Sequence, residues 1–366
     1  MYTNLEVKQD SGYVFPKEKW ELHPSPKNLG WDVAKLKMVG DYADSLETAA
    51  LMVVHNRVLI YDWGATDEKY ITQSMRKGLL NSLYGKYWDE GKINLNTTLS
   101  ELKIDDVPPL TKRERTATIE NLLQSSSGIY HSALYEVGTW KRGKPARGTH
   151  KPDETWYYNN WDFNALGTIF EQISNKKIGV AFQKEIASPL QMQDFVPADV
   201  EYITQDNLGE KMLGNQSEHP AFMFSMSARD MARYGHLYLN RGNWNGKQII
   251  SEEWIEKSWD TVDLDMYQDL DFGYLWWVFE NGRIYLNKDM GFDEDIYFTS
   301  GNRGHFVFVI PYLDLVVVHR VHIKGVDGWN QIKRGALGLY AEVDDYDVYE
   351  MLRMIREAHP KRTDKK

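Results

Sequence analysis

The stretch ITQSMRKGLLNSLYGKYWDEG, residues 71–91, decides which fold we predict for this chain. Its apolar residues recur at helical spacing, and Gly91 stands where helices commonly end in a left-handed residue. The pattern therefore predicts an amphipathic helix with Ser74 at or just inside its N-terminus. Residues three apart share one face of a helix, so we expect the Lys77 amine to reach the Ser74 hydroxyl.

This pair has a chemical meaning. A serine hydroxyl is a weak nucleophile until a base takes its proton, and a lysine desolvated by apolar neighbours can be that base. The spacing alone is weak evidence, because Ser174 and Lys177 repeat it in a polar segment typical of a helix end. The alternative is that Ser74 is only an N-cap and Lys77 is solvated.

Composition excludes several classes of function. The chain has 366 residues, of which 42% are hydrophobic, enough for a sizeable core in one large domain or two. A net charge of −10 disfavours nucleic acid as a partner. The absence of cysteine excludes disulfides and thiolate chemistry, and no metal-ligand spacing occurs, so we expect no metal and no organic cofactor. No apolar run reaches the roughly 18 residues of a membrane span. We expect a soluble protein, cytoplasmic as given or exported if a signal peptide was removed.

The order of predicted elements indicates an α/β fold. Residues 1–30 are predicted to be an arm, and residues 31–93 and 260–366 to build an antiparallel sheet from both chain ends, flanked by helices. The mostly helical residues 94–259 are inserted between them, with a site in the cleft. The predicted terminal elements are a helix at 31–46, strands at 49–55, 57–63, 272–280, 283–286, 295–299, 305–310 and 313–319, and helices at 329–343 and 346–359.

Further segments resemble one family in order and spacing. They are LLQSSSGI (122–129), WYYNNWDFNALGTIFEQ (156–172), PLQM (189–192), SARDMARYGHLYLNRGNWNGKQIISEEW (227–254), GYLWWV (273–278) and TSGNRGHFVFVIPYLDLVVV (299–318). Together with residues 74–77 they resemble the serine hydrolases related to class C β-lactamases, which include carboxylesterases, D-amino-acid peptidases and nylon-oligomer hydrolases. The resemblance implies a β-lactamase/transpeptidase-like fold with Ser74 as the nucleophile.

The family's Tyr-x-Asn motif falls on YYNN, residues 157–160, in two registers. The family spacing to the next Leu-Gly pair selects Tyr158 and Asn160, and Tyr157 stays the alternative tyrosine. The resemblance implies that Lys77, or an ionised Tyr158, takes the Ser74 proton and that Tyr158 then protonates the leaving group. A lysine charge nearby is expected to lower the pKa of Tyr158, and Asn160 is expected to accept from Lys77 and to bind a substrate carbonyl.

The family's Lys-Thr-Gly strand motif is changed here. Thr299, Ser300 and Gly301 take its place, so its lysine is missing. Asn302 then falls where the family supplies one backbone N–H of the oxyanion hole, the other being the N–H of Ser74. Ser300 and Gly301 are predicted to bind substrate, with an edge-strand turn as the alternative. A β-lactam carboxylate loses its usual partner unless Arg303 replaces it, which favours an ester or amide.

Two further residues are candidates for contact with the substrate. His131 is predicted to line the cleft, with a solvated histidine as the alternative. Trp161, together with Trp156, Trp276 and Trp277, is predicted either to form an apolar pocket or to pack in the core.

The sequence therefore predicts a serine hydrolase that cleaves a small ester or amide through a Ser74 acyl-enzyme. A β-lactamase or D-amino-acid peptidase is the first alternative, and a catalytically inactive binding module of the same fold is the second. The oligomeric state stays open.

Overall fold

The computed structural model describes residue 16 and residues 18–136, 141–207, 216–261, 270–284, 288–289, 291–322 and 343–361. The helix predicted at 329–343 lies outside these residues except for its last position. The helices are α1 Val33–Asp44, α2 Arg76–Asp89, α3 Leu99–Leu102, α4 Ile119–Leu123, α5 Asn160–Ser174, α6 Ile178–Phe182, α7 Ala228–Leu239, α8 Glu252–Trp259 and α9 Asp345–Ala358. The strands are β1 Thr48–His55, β2 Val58–Gly64, β3 Tyr70–Ile71, β4 Val200–Ile203, β5 Ala221–Met226, β6 Asn243–Trp244, β7 Lys247–Gln248, β8 Leu270–Phe272, β9 Trp277–Phe279, β10 Arg283–Ile284, β11 Lys288–Asp289, β12 Ile296–Gly301, β13 His305–Ile310 and β14 Leu315–Val321.

A seven-stranded antiparallel sheet joins the two ends of the chain. Its strand order is β2-β1-β14-β13-β12-β9-β8, and β1 pairs directly with β14. The β1–β2 hairpin turns at Asn56 and Arg57, whose φ values of 49° and 66° suit the tight turn predicted there. The predicted antiparallel sheet is confirmed.

The sheet is buried on both faces, which explains the continuous apolar runs in its central strands. One face, with Leu51 and Val53, packs against α1 and α9. The other face, with Met52 and Val316, shares one core with α2, α5 and α7. The sheet and the inserted helices therefore meet through a continuous apolar layer.

Two predicted strands differ from the structure. The strand predicted at 272–280 is two strands, β8 and β9, because the chain turns between them at Leu275, whose φ is 63°. The strand predicted at 283–286 is limited to Arg283–Ile284 in the described residues, where it pairs with β11.

A small sheet that the sequence did not predict joins β3 to two strands of the inserted region. Its strand order is β3-β5-β4, so the residues just before Ser74 pair with a strand far along the chain. Short strands with few local signals are set by tertiary pairing. This sheet fixes how the chain enters the helix that begins after Ser74.

The described part of the N-terminal arm lies against the body of the protein. The Trp20 indole donates to the Arg229 carbonyl at 2.9 Å, and the His23 N–H donates to the Leu59 carbonyl at 2.9 Å. The arm thereby covers the outer edge of β2. No helix in the described residues is long and apolar enough to cross a membrane.

Candidate active site

Ser74 lies in a single 3-10 turn, Gln73–Met75, directly before α2. The turn is fixed by hydrogen bonds from the Thr72 N–H to the Phe224 carbonyl at 2.8 Å and from the Met75 N–H to the Thr72 carbonyl at 3.1 Å. The N-cap position of α2 is Met75, so the N-cap interpretation of Ser74 is wrong. Ser74 is partly exposed while its chain neighbours are buried. The serine is therefore presented at the positive end of a buried helix.

Lys77 connects Ser74 to Tyr158. Its Nζ donates to Ser74 Oγ at 3.0 Å and to the Tyr158 hydroxyl at 2.5 Å. The amine also lies 4.5 Å from the centre of the Phe163 ring. Burial, and then the positive charge of Arg76, hold the pKa of Lys77 well below its usual range. The structure therefore favours a neutral amine, which can accept a proton from Ser74.

Tyr158 keeps its proton. Burial raises its pKa to about 12, although a hydrogen bond with Ser74 and the charge of Arg76 work in the opposite direction. The expectation that a lysine charge would lower this pKa is wrong, because desolvation of the phenolate is the larger effect. A buried, protonated phenol beside a neutral amine is suited to donate a proton rather than to accept one.

The structure brings Tyr158, not Tyr157, to Lys77. The Tyr157 ring packs edge-on against Tyr130, with ring centres 5.9 Å apart. The Tyr157 carbonyl accepts from the Ser125 hydroxyl at 2.6 Å. Helix α5 begins right after this segment and so sets which side chain faces the lysine.

The two asparagines after Tyr158 differ from the expectation. Asn159 is buried and caps α5, and its amide donates to the Ile129 carbonyl at 2.7 Å. Asn160 is partly exposed on the first turn of α5. The hydrogen bonds that Lys77 makes to described residues go to Ser74 and Tyr158, so the expected bond to Asn160 is not formed.

The end of β12 lies against the nucleophile turn. A Cβ placed on Gly301 would be 2.3 Å from the Thr72 carbonyl oxygen, so only glycine fits there. Thr299, at the position of the family's lysine, is buried and packs against Gly78 of α2. Ser300 is partly exposed, and Asn302 is exposed in the turn to β13. Gly301 thus brings both of its chain neighbours close to the segment that carries Ser74.

The structure does not bring His131 and Trp161 to the cleft, and their interpretation as substrate contacts is wrong. Trp161 is fully buried, and its indole donates to Asp106 Oδ2 at 2.5 Å. His131 is buried with its ring nitrogens 3.7 Å from Asp106 and 3.6 Å from Glu114. Both side chains lie within the helical region because these buried carboxylates attract ring N–H groups.

The tryptophans divide between the core and the site. Trp276 is fully buried. Trp277 is partly exposed and stacks on Tyr158, with ring centres 5.5 Å apart, and Trp156 lies 5.9 Å from Trp277. An aromatic wall of Trp156 and Trp277 therefore adjoins the Ser74 cluster.

Arg76 was missed at the sequence level. It is 2% exposed, donates from Nη2 to Asn164 Oδ1 at 2.8 Å and lies 4.5 Å from the Phe222 ring centre. The only signal was a second basic residue beside Lys77 in an otherwise apolar helix start. Its charge acts directly on the pKa of Lys77.

The repeated spacing at Ser174 has a different environment. Ser174 is the last residue of α5, and Lys177 pairs with Glu171 at 2.7 Å with its side chain 69% exposed. Lys177 is therefore a solvated lysine in a surface ion pair, not a buried amine as Lys77 is. Among the residues that the structure describes, no three His, Asp or Glu side chains converge as a metal site.

The comparisons with known proteins agree with this fold. The beta-lactamase family model matches residues 37–327, and the chain belongs to this family. The fold is the β-lactamase/transpeptidase-like fold, whose family is related to serine hydrolases. A search of curated protein sequences finds no match.

Three solved structures illustrate the likeness. A protein from Bacillus anthracis described as a candidate 6-aminohexanoate-dimer hydrolase is 18% identical, with a TM-score of 0.59, covering 89% of this chain and 87% of its own. An octameric penicillin-binding protein homologue from Pyrococcus abyssi is 17% identical, with a TM-score of 0.60, covering 90% and 78%. A class C β-lactamase variant is 12% identical, with a TM-score of 0.54, covering 87% and 100%. At these identities the likeness concerns the fold alone.

Proposed function

We propose that the protein is a serine hydrolase that cleaves a carboxylic ester or amide through an acyl-enzyme on Ser74. The observation that carries the proposal is the position of Lys77 Nζ, 3.0 Å from Ser74 Oγ and 2.5 Å from the Tyr158 hydroxyl. Nucleophile, base and acid are thereby in one hydrogen-bonded chain. The buried surroundings that keep the amine neutral support its role as the base.

The reaction begins when Lys77 takes the Ser74 proton and Ser74 Oγ attacks the substrate carbonyl carbon. The oxyanion is stabilised by the backbone N–H groups of Ser74 and Asn302. Tyr158 gives its proton to the leaving alcohol or amine and regains one from the Lys77 ammonium. Water then attacks the acyl-enzyme and gives a proton to Tyr158, which gives its own proton to Lys77. The Lys77 ammonium finally returns a proton to Ser74 Oγ as the acid leaves.

Two features favour an ester or amide over a β-lactam. Thr299 stands where the related enzymes carry the lysine that assists in binding a substrate carboxylate. The partly exposed Trp156 and Trp277 beside Tyr158 suit an apolar group on the leaving-group side. Ser300 near the end of β12 and Asn160 on the first turn of α5 are both partly exposed, and we assign both to substrate binding.

The test is labelling with a fluorophosphonate followed by peptide mass spectrometry. The label is expected on the peptide that contains Ser74, to be absent in Ser74→Ala and to be retained in Ser174→Ala. Ser174→Ala is the matched control because it removes the serine from the same spacing outside the site.

Turnover separates the substrate classes. Hydrolysis of p-nitrophenyl butyrate is expected to fall by at least about 10³-fold in Ser74→Ala, as when a nucleophile is removed from a serine hydrolase. A penicillin and a small linear amide are assayed beside the ester. Faster acylation by the penicillin would indicate the β-lactamase or D-amino-acid peptidase alternative. No label on Ser74 together with no hydrolysis would leave the binding-module interpretation, whereas ester hydrolysis unchanged in Ser74→Ala would refute Ser74 as the nucleophile.

A further inference from the structure

Arg320 is a buried cation whose hydrogen bonds lead to the site. It lies on β14 and is fully buried, and no carboxylate pairs with it among the described residues. Burial lowers its pKa to about 9. A charge in this position is costly unless its donors are satisfied, and a purely apolar core would be served better by an apolar residue.

The guanidinium makes four hydrogen bonds to residues that the structure describes. Nη2 donates to the carbonyls of Tyr70 at 2.7 Å and Ile71 at 3.0 Å, Nη1 donates to the Met226 carbonyl at 3.1 Å, and Nε donates to His305 Nδ1 at 3.1 Å. The planar, forked geometry of arginine is what allows one side chain to reach acceptors on three segments.

Two of these segments, β3 and the end of β5, are paired strands that lie directly before Ser74 or against the chain that leads to it. Tyr70 and Ile71 are the whole of β3, and Tyr70 pairs with Met226 at the end of β5. The chain passes from Ile71 through Thr72 and Gln73 to Ser74. Arg320 therefore fixes the carbonyls that immediately precede the nucleophile turn.

The third segment carries the other side of the site. His305 is the first residue of β13 and pairs with Gly301 across the hairpin. The turn between them contains Asn302. His319, next to Arg320, connects the same turn to β1. Its Nδ1 lies 2.5 Å from the Gly304 carbonyl of the turn, and its Nε2 lies 2.9 Å from the Thr48 hydroxyl of β1.

We propose that Arg320 is a positioning residue that sets the distance between the backbone N–H groups of Ser74 and Asn302. The proposal rests on the proposed function, since it assigns these two groups to one oxyanion site. Arg320 touches no substrate because it is fully buried. It acts by clamping β3 and the start of β13 to the same guanidinium, so that neither donor can shift relative to the other.

The test compares Arg320→Lys with Arg233→Lys. Arg233 is equally buried but lies on α7. Among the residues that the structure describes, it donates to the carbonyls of Leu190 at 2.9 Å and Pro16 at 3.3 Å, which lie on neither β3 nor β13. A lysine keeps the charge and loses the fork at both positions. The readouts are the second-order rate of fluorophosphonate labelling, kcat and KM for p-nitrophenyl butyrate, and thermal unfolding.

Arg320→Lys is expected to lower the labelling rate and kcat by about 10²-fold, the range for loss of one oxyanion donor, with KM changed less than about threefold. Arg233→Lys is expected to lose comparable thermal stability and to stay within about threefold of wild type in rate. Should Arg320→Lys not fold, His305→Ala removes a single contact of the clamp and is expected to lower kcat by about tenfold. A labelling rate equal to wild type in whichever variant folds, or equal losses in the Arg320 and Arg233 variants, overturns the proposal.

Hydrogen–deuterium exchange separates this proposal from the proposed function. The peptides that cover residues 70–76 and 300–306 are expected to exchange faster in Arg320→Lys than in Arg233→Lys, whatever the enzyme hydrolyses. If wild-type Ser74 takes no label, the proposed function fails while the exchange rates still decide whether Arg320 is a clamp. Unchanged exchange in both peptides contradicts the clamp directly.

Discussion

Replacing Gly301 by alanine perturbs the site by a single methyl group. The added Cβ would lie 2.3 Å from the Thr72 carbonyl oxygen, 3.0 Å from Gln73 Cβ and 3.1 Å from His305 Cβ. Cβ atoms do not approach heavy atoms closer than 3.0 Å, so β12 and the nucleophile turn must separate by at least 0.7 Å. The atoms that must move are a backbone oxygen and two Cβ atoms, which cannot shift without moving the main chain.

The expected loss follows from this displacement. A shift of this size moves Asn302 relative to Ser74, and loss of one oxyanion donor lowers kcat by about 10²–10³-fold, or about 3–4 kcal/mol in the transition state. Overpacking lowers the free energy of unfolding by about 1–3 kcal/mol. The loss of activity is therefore expected to exceed what partial unfolding could explain.

The assay is steady-state hydrolysis of p-nitrophenyl butyrate, with urea unfolding of each variant and the Kd of a boronic acid that adds to Ser74. Gly91→Ala is the control. Gly91 has a φ of 68° and no atom within 4 Å of its added Cβ, so alanine brings backbone strain without a clash. We expect Gly91→Ala to lose about 1 kcal/mol of stability with unchanged kcat/KM.

A Gly301→Ala protein that keeps kcat/KM and boronate affinity within about threefold of wild type would refute the reasoning. It would mean that the end of β12 does not set the position of an oxyanion donor. Equal losses of activity in Gly301→Ala and Gly91→Ala would refute it as well, because stability alone would then account for both.

Three further results are expected. Tyr158→Phe should lower kcat by about 10²–10⁴-fold in ester hydrolysis, the usual contribution of a general acid, whereas Tyr157→Phe should stay near wild type, and equal effects would contradict the assigned register. Arg76→Met removes the positive charge beside Lys77 and so raises the pKa of this amine. Because the base must be neutral, the acid limb of the kcat/KM profile should move to higher pH, and Arg76→Lys should keep it in place. Burial lowers the pKa of His55 to about 3, whereas the pKa in the unfolded chain is about 6.5. As the pH drops from 6.5 towards 3, the unfolded chain binds this proton and the folded protein does not, so the free energy of unfolding falls. Between pH 7 and pH 4.5, the free energy of unfolding measured in urea should fall by about 2 kcal/mol less in His55→Gln than in wild type. Equal falls in the two proteins would contradict this origin.

Much of the fold could be predicted from the sequence because its signals are local. Alternating and continuous apolar runs, with turn residues between them, indicated the hairpin at Asn56 and the strands of the C-terminal half. The spacing of Ser74 and Lys77 depends only on the helical repeat, so it too is written in the sequence. The family resemblance added the order of the remaining motifs, and the sheet built from both chain ends is confirmed.

Burial could not be predicted in the same way, since it depends on residues distant in the chain. Trp161 and His131 were predicted to contact substrate, but both are buried beside Asp106, and His131 also lies beside Glu114. The pKa of Tyr158 was expected to fall, yet the desolvation of its buried ring raises it.

The sequence by itself determined which groups are available for chemistry: a serine, a lysine one helical turn later, a tyrosine and a glycine-ended strand. Only the tertiary structure decided their states and their spacing. The pKa of Lys77 is lowered because the core removes its water. Arg320 joins β3 to β13 although about 250 residues separate Arg320 from the β3 carbonyls it binds. Local spacing follows from backbone geometry, whereas desolvation and long-range hydrogen bonds exist only once the chain has folded.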